Sequence, residues 1–148
     1  MSLNWKIKPF AALSADELYD LLQLRETVFI VEQNCIYHDI DSKDRKALHL
    51  IGEENAEIVA YARLFDAGDY FQESSIGRVV VKPEYRHKKI GHELMQEAIQ
   101  AIAARFHTNQ ITISAQLYLK KFYESHGFIA LGEVYLEDDI EHIRMKKK

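Results

Sequence analysis

The stretch Ile76–Phe106 reads IGRVVVKPEYRHKKIGHELMQEAIQAIAARF. It opens on a β-branched run, Ile76 to Val81, and turns at Pro83. A basic segment follows, Arg86 to Gly91, and then the period changes. Leu94, Met95, Ala98, Ile99, Ile102, Ala103 and Phe106 recur at helical spacing, with polar Glu93, Gln96, Glu97, Gln100 and Arg105 between them. This is strand, loop, amphipathic helix. Such a loop aims free backbone N–H groups and the positive end of a helix at one point, and neighbouring cations add charge. The expectation is an anion site, with phosphate the natural ligand.

Outward from this unit the chain reads as a single domain over residues 1–148. Trp5 to Phe10 alternates as a first strand. Ser14-Ala-Asp-Glu17 is a capping box that opens a helix reaching about Phe29. The segment Arg25 to Asp44 is polar and irregular, as functional loops often are. Ala47–Glu53 and Glu57–Phe65 form a hairpin, and Ile76–Lys82 is the fourth strand. The helix Gly91–His107 leads to a fifth strand, Gln110–Ala115. Strand, helix, strand at this spacing is a right-handed crossover, so strands four and five are expected to be parallel. A short helix, Tyr118–His126, ends at Gly127, and two strands, Phe128–Leu136 and Ile140–Met145, close the chain.

Composition sets the bounds. The 148 residues are 47% hydrophobic and 28% charged, as in an ordinary globular domain. No apolar stretch is long enough to cross a bilayer, and no basic-then-apolar leader opens the chain. The one cysteine cannot form an internal disulfide. A cytoplasmic protein without membrane attachment is expected. With 19 Lys and Arg against 23 Asp and Glu the net charge is −4, which argues against nucleic acid and suits a cationic substrate. Cys35 and His38 offer only two metal ligands, so no metal site is expected. His49 and Arg63 sit inside apolar strands. A buried histidine there is paired or faces a cleft, and a buried arginine needs a carboxylate.

Several segments resemble known patterns. Val81-Lys-Pro-Glu-Tyr-Arg-His-Lys-Lys-Ile-Gly91 resembles the coenzyme A pyrophosphate loop of the GNAT N-acetyltransferases, whose pattern is Gln/Arg-x-x-Gly-x-Gly/Ala. Arg86 and Gly91 hold the outer positions, Lys89 stands at the first motif glycine, and His87 stands where a further glycine is common. Backbone N–H groups survive both departures, although Lys89 restricts the backbone and adds bulk. Phe122-Tyr123-Glu-Ser-His-Gly127-Phe128 resembles the late Phe-Tyr-x-x-x-Gly-Phe signature of the same family. The Arg25–Tyr37 pattern and the tail Gly132–Met145 look like its ElaA-like subgroup.

The resemblance implies an α/β fold: a mixed, mostly antiparallel sheet, a splayed parallel strand 4/strand 5 pair, and helices on both faces. It implies acetyl-CoA as donor and a primary amine as acceptor, with no metal. The backbone of Val79, Val80 and Val81 would take the pantetheine arm. Arg86, His87, Lys88, Lys89, Ile90, Gly91 and His92 would surround the pyrophosphate. Tyr123 would protonate the leaving sulfur. Glu32 is the first candidate for general base, with His49, His142 and the loop aspartates behind it. Gln33, His49, Arg63 and His142 are expected near the acceptor. A non-catalytic acetyl-CoA-binding regulator, or an interaction protein that has lost the ligand, is the alternative that His87 and Lys89 motivate. The chain could act as a monomer or as a homodimer through its C-terminal strands.

Overall fold

The computed structural model describes residues 3–148; Met1 and Ser2, to which the sequence assigns no role, lie outside them. Strands β1 (Asn4–Pro9), β2 (Leu48–Glu54), β3 (Glu57–Phe65) and β4 (Ser75–Val81) form one antiparallel sheet in the order β1-β2-β3-β4. Strands β5 (Ile111–Gln116), β6 (Ile129–Glu137) and β7 (Ile140–Lys147) form a second, in the order β5-β7-β6. The helices are α1 (Ala15–Arg25), α2 (Ile90–Phe106) and α3 (Lys120–Glu124). Among the described residues no helix is long and apolar enough to cross a membrane.

Helices do cover both faces of the first sheet. Period-2 alternation sends Leu50, Ala60, Ala62 and Leu64 toward Leu94, Met95, Ala98 and Ile102 of α2. The alternate residues Ile51, Tyr61 and Val80 meet Leu21 and Leu24 of α1 on the other side. The expected capping box forms: the Glu17 N–H donates to Ser14 Oγ at 3.0 Å, and the Ser14 N–H donates to Glu17 Oε1 at 2.9 Å. The helix does not end in a plain last turn. It continues as a π-helical segment, Glu26–Glu32, which keeps Val28 and Phe29 buried and carries Glu32 at its end. Such wide turns often mark functional sites.

The expected parallel pairing of strands four and five is not formed as a ladder, and both sheets are antiparallel throughout. β4 and β5 run the same way but meet at a single parallel bridge, Ser74 to Ile111, where the Thr112 N–H donates to the Ser74 carbonyl at 2.9 Å. The physical cause lies in β4. Tyr61 pairs with Val80 and Arg63 with Gly77, so Arg78 and Val79 together oppose Ala62. Arg78 takes a left-handed φ of 49°. This bulge bends the strand and leaves an unpaired residue. Past the bridge, the open edges of β4 and β5 face one another.

Candidate active site

A cavity of about 590 Å³ occupies the gap between these edges. Val79, Val80 and Val81 line it from β4, and Ile113, Ser114 and Gln116 from β5. Arg86 and Gly91 line one end; Glu137 and His142 of the β6–β7 hairpin line it as well. An unpaired strand edge presents alternating donors and acceptors to whatever extended group enters beside it.

The basic loop coils as a 3-10 turn over Pro83–Lys88 and passes through Lys89 into α2. Lys89 takes φ 58° and ψ 22°, the left-handed geometry for which glycine is the usual choice. No side chain caps α2. The first-turn N–H groups therefore have no intrahelical partner and are available to an anion. Gly91 packs beside Phe122, whose ring would lie 3.7 Å from an added Cβ. The loop thus keeps a left-handed residue and an uncapped helix start, despite its side chains at His87 and Lys89. Ile90 is buried in the core, and His92 packs at a tilt against Phe122 and lies 2.9 Å from His126.

Arg86 and Glu32, expected in separate roles, are joined. Arg86 Nη1 and Nη2 donate to the two Glu32 oxygens at 2.6 and 2.7 Å, and its Nε donates to the Val81 carbonyl at 3.2 Å. The hydrogen bond from Arg86 holds the Glu32 carboxyl below its ordinary range. That makes Glu32 a weaker base than a free carboxylate.

Tyr123 is 6% exposed and lines the cavity. It packs edge-on against Phe122 and Phe128, and burial raises its pKa well above that of a free phenol. The phenol is held in its protonated form, as a proton donor must be.

The other expected residues divide. Gln33 lines the cavity and exchanges amide hydrogen bonds of 3.3 Å with Gln116. His49 lies outside the cavity lining, fully buried. Its Nε2–H donates to the Asp44 carbonyl at 2.9 Å, so Nδ1 accepts from the Tyr61 hydroxyl at 2.6 Å. Burial lowers its pKa, and the ring is neutral. Arg63 lines the cavity, but Asp41 and Asp44 hold it at 2.6 and 3.0 Å.

Arg63 belongs to a larger buried ionic cluster that the sequence left unresolved. Arg25 binds Asp39 and Asp44, each at 2.8 Å. Arg78 Nε lies 2.7 Å from Asp39. Three arginines from α1, β3 and β4 thus hold three aspartates of the 39–44 segment. Two features legible in the sequence were the buried-strand arginine and the Asp-x-Asp-x-x-Asp spacing; the pairing itself needed the fold. The cluster neutralises its own charges, so these aspartates are structural anchors and Cys35 sits beyond them, donating to the Asp138 carbonyl. No group of three metal-ligating side chains occurs among the described residues.

Residues 13–148 match the acetyltransferase (GNAT) domain family. The chain is 40% identical to the protein ElaA of Escherichia coli over 148 residues, 99% of this chain and 97% of ElaA. The crystal structure of E. coli ElaA superposes with a TM-score of 0.92, covering 99% of each chain. That of an acyl-CoA N-acyltransferase from Pseudomonas aeruginosa superposes with a TM-score of 0.93 at 42% identity, covering 99% of this chain and 100% of the other.

Proposed function

Because the chain belongs to the GNAT acetyltransferase family, we propose that it moves an acetyl group from acetyl-CoA to a primary amine, by direct attack with both substrates bound. The single observation that carries this reading is one continuous cavity touching the open β4 edge, the Arg86–Gly91 loop and Tyr123. Each part fits one chemical need.

The backbone of Val79, Val80 and Val81 receives the pantetheine arm as an added strand. The N–H groups at the start of α2, with Arg86, Lys88 and Lys89, hold the pyrophosphate. A β4 N–H, that of Val81, faces the acetyl oxygen and stabilises the charge that develops there. Tyr123 gives its phenolic proton to the departing sulfur. The acidic, partly aromatic end of the cavity receives the amine. The reducing cytoplasm suits the unpaired Cys35.

Calorimetric titration of acetyl-CoA, with desulfo-coenzyme A and adenosine diphosphate as comparisons, tests the donor site. Micromolar binding is expected. Tyr123→Phe should lower kcat by about 100-fold while leaving the acetyl-CoA Kd unchanged. Tight binding with no amine acetylated would identify a sensor or regulator on the same fold. No binding at millimolar ligand would mean that His87 and Lys89 close the loop.

A further inference from the structure

The inner face of the second sheet is polar where its outer face is core. Ala115, Ile143 and Met145 point into the main core, as does Ile113, which also reaches the cavity. Their alternates Ser114, Gln116 and His142 line the cavity, as does Glu137 of β6. Within this face the hydrogen bonds have a defined direction. The Ser114 hydroxyl donates to Glu137 Oε1 at 3.1 Å, so the Tyr135 hydroxyl, 2.5 Å from Ser114 Oγ, must be the donor to it. Glu137 Oε1 is therefore fixed, and Oε2 is left facing His142 Nε2 at 3.6 Å.

The histidine tautomer is fixed as well. His142 Nδ1 lies 2.7 Å from the Ile140 carbonyl, which can only accept. Nδ1 therefore donates to that carbonyl, and the second ring nitrogen, Nε2, is turned to the side where Glu137 Oε2 lies. The ring stacks on Tyr135, its register partner across the β6–β7 hairpin. A nitrogen set off the line joining His142 Nε2 and Glu137 Oε2, which are 3.6 Å apart, would lie at hydrogen-bond distance from both.

Position supports the same use. Asp41 is bound to Arg63, and Glu32 lies at the Arg86 end of the cavity, paired with the guanidinium for which the pyrophosphate competes, whereas Glu137 has no arginine partner among the described residues and is held by Ser114 of β5. Glu137 also lines a second, shallower depression shared with Tyr37, Tyr70 and Asp138, so it stands where the main cavity opens outward.

We propose that Glu137 and His142 are the acceptor clamp: Glu137 Oε2 binds the ammonium of a primary alkylamine and His142 Nε2 removes its first proton. Ser114 and Tyr135 are positioning residues that aim Glu137. The inference rests on the acetyl-transfer reading above. The proton taken by His142 passes to solvent, and the neutral amine attacks the acetyl carbon. The C–N bond forms and the C–S bond breaks; the sulfur takes the Tyr123 proton, and the second proton lost by nitrogen restores the phenol. The balance is one amide, one thiol and one proton released per ammonium consumed.

The test uses the full chain, acetyl-CoA and four probe amines: n-butylamine, tyramine, Nα-acetyl-lysine amide and a short peptide with a free N-terminus. Thiol release is measured for the wild type, His142→Asn and Glu137→Gln. The asparagine amide keeps a donor for the Ile140 carbonyl but removes the Nε2 acceptor. His142→Asn should lower kcat about 100-fold or more, with acetyl-CoA affinity within twofold of wild type. Glu137→Gln, at the exposed hairpin tip, should raise the amine KM about tenfold or more and lower kcat less. A structural role would not split the two parameters in opposite ways. His142→Asn retaining kcat within threefold, or Glu137→Gln leaving KM unchanged, overturns the clamp. A wild type that binds acetyl-CoA but acetylates none of the four amines overturns the acetyl-transfer reading itself.

Discussion

At the scale of single residues, Arg86 links the two ends of the site. Its guanidinium is a planar fork suited to a carboxylate or a phosphate, and in this structure Glu32 holds it. A pyrophosphate bound at the α2 N-terminus competes with Glu32 for the same donors. Two opposite effects follow for acetyl-CoA affinity. Arg86→Ala removes a charge-assisted contact and should weaken binding roughly tenfold. Glu32→Gln frees Arg86 from its carboxylate and removes a negative charge near the phosphates, so it should tighten binding by a fewfold. Titration calorimetry of both variants reads the pair directly. If Glu32→Gln binds more weakly than wild type, Glu32 is holding Arg86 in its binding position and is not competing for it.

At the scale of elements, β1 is fastened to the helix that follows the basic loop. Trp5 Nε1 donates to Glu93 at 2.5 Å, placing a carboxylate in the positive first turn of α2. The Trp5 ring packs against Gly52, its partner in the β1–β2 register. A Cβ at Gly52 would sit 2.6 Å from that ring. Gly52→Ala should therefore displace the indole, break its bond to Glu93 and cost about 1–3 kcal/mol by urea denaturation. Trp5 is the sole tryptophan, so its fluorescence reports the displacement; unchanged emission and stability would mean that the ring slides aside at no cost. This contact was invisible in the sequence because 47 residues separate its members. What was legible is local. The capping box, the two hairpins and the strand–loop–helix unit each depend on neighbours along the chain, and each forms. The β4 bulge was not legible, since Arg78 is not a glycine and nothing in a β-branched run marks a left-handed residue. The spacing pointed to a parallel β4–β5 pair and the resemblance to a splayed one; that only a single parallel bridge would form, because β4 bulges, could not be read from the run. Glu137 was passed over because its significance lies in Ser114 and His142, which reach it only across strands.

For the whole molecule, the ionic cluster and His49 make stability depend on pH in two separable windows. Burial alone would raise the Asp44 pKa, but the hydrogen bonds and charges of Arg25 and Arg63 outweigh it and hold the carboxyl below its ordinary value. Asp41 is lowered in the same way by Arg63, and Glu17 is lowered to about 2, chiefly by its hydrogen bond from Lys8. Depressed carboxyl pKa values give stability that is present above about pH 4 and lost as pH falls further, because the unfolded chain then takes up protons first. His49 acts earlier. Burial depresses its pKa, so the unfolded ring gains a proton below about pH 6.5 while the folded ring stays neutral. Stability should therefore be level above about pH 7, begin to decline as pH falls below about 6.5, and fall steeply below about 4, with each proton contributing at most about 1.4 kcal/mol per pH unit. Urea midpoints across this range check the profile. His49→Gln keeps a donor for the Asp44 carbonyl and cannot titrate, so it should flatten the upper decline and leave the lower one intact. An upper decline that persists in His49→Gln would assign it to another histidine, of which His126, also lowered by burial, is the next to replace. Because Asp39, Asp41 and Asp44 anchor the segment carrying Tyr37 to α1, β3 and β4, the lower transition should loosen the cavity wall before the α2 face of the core gives way. Hydrogen exchange at pH 4 should show amides of residues 37–46 opening ahead of those of α2.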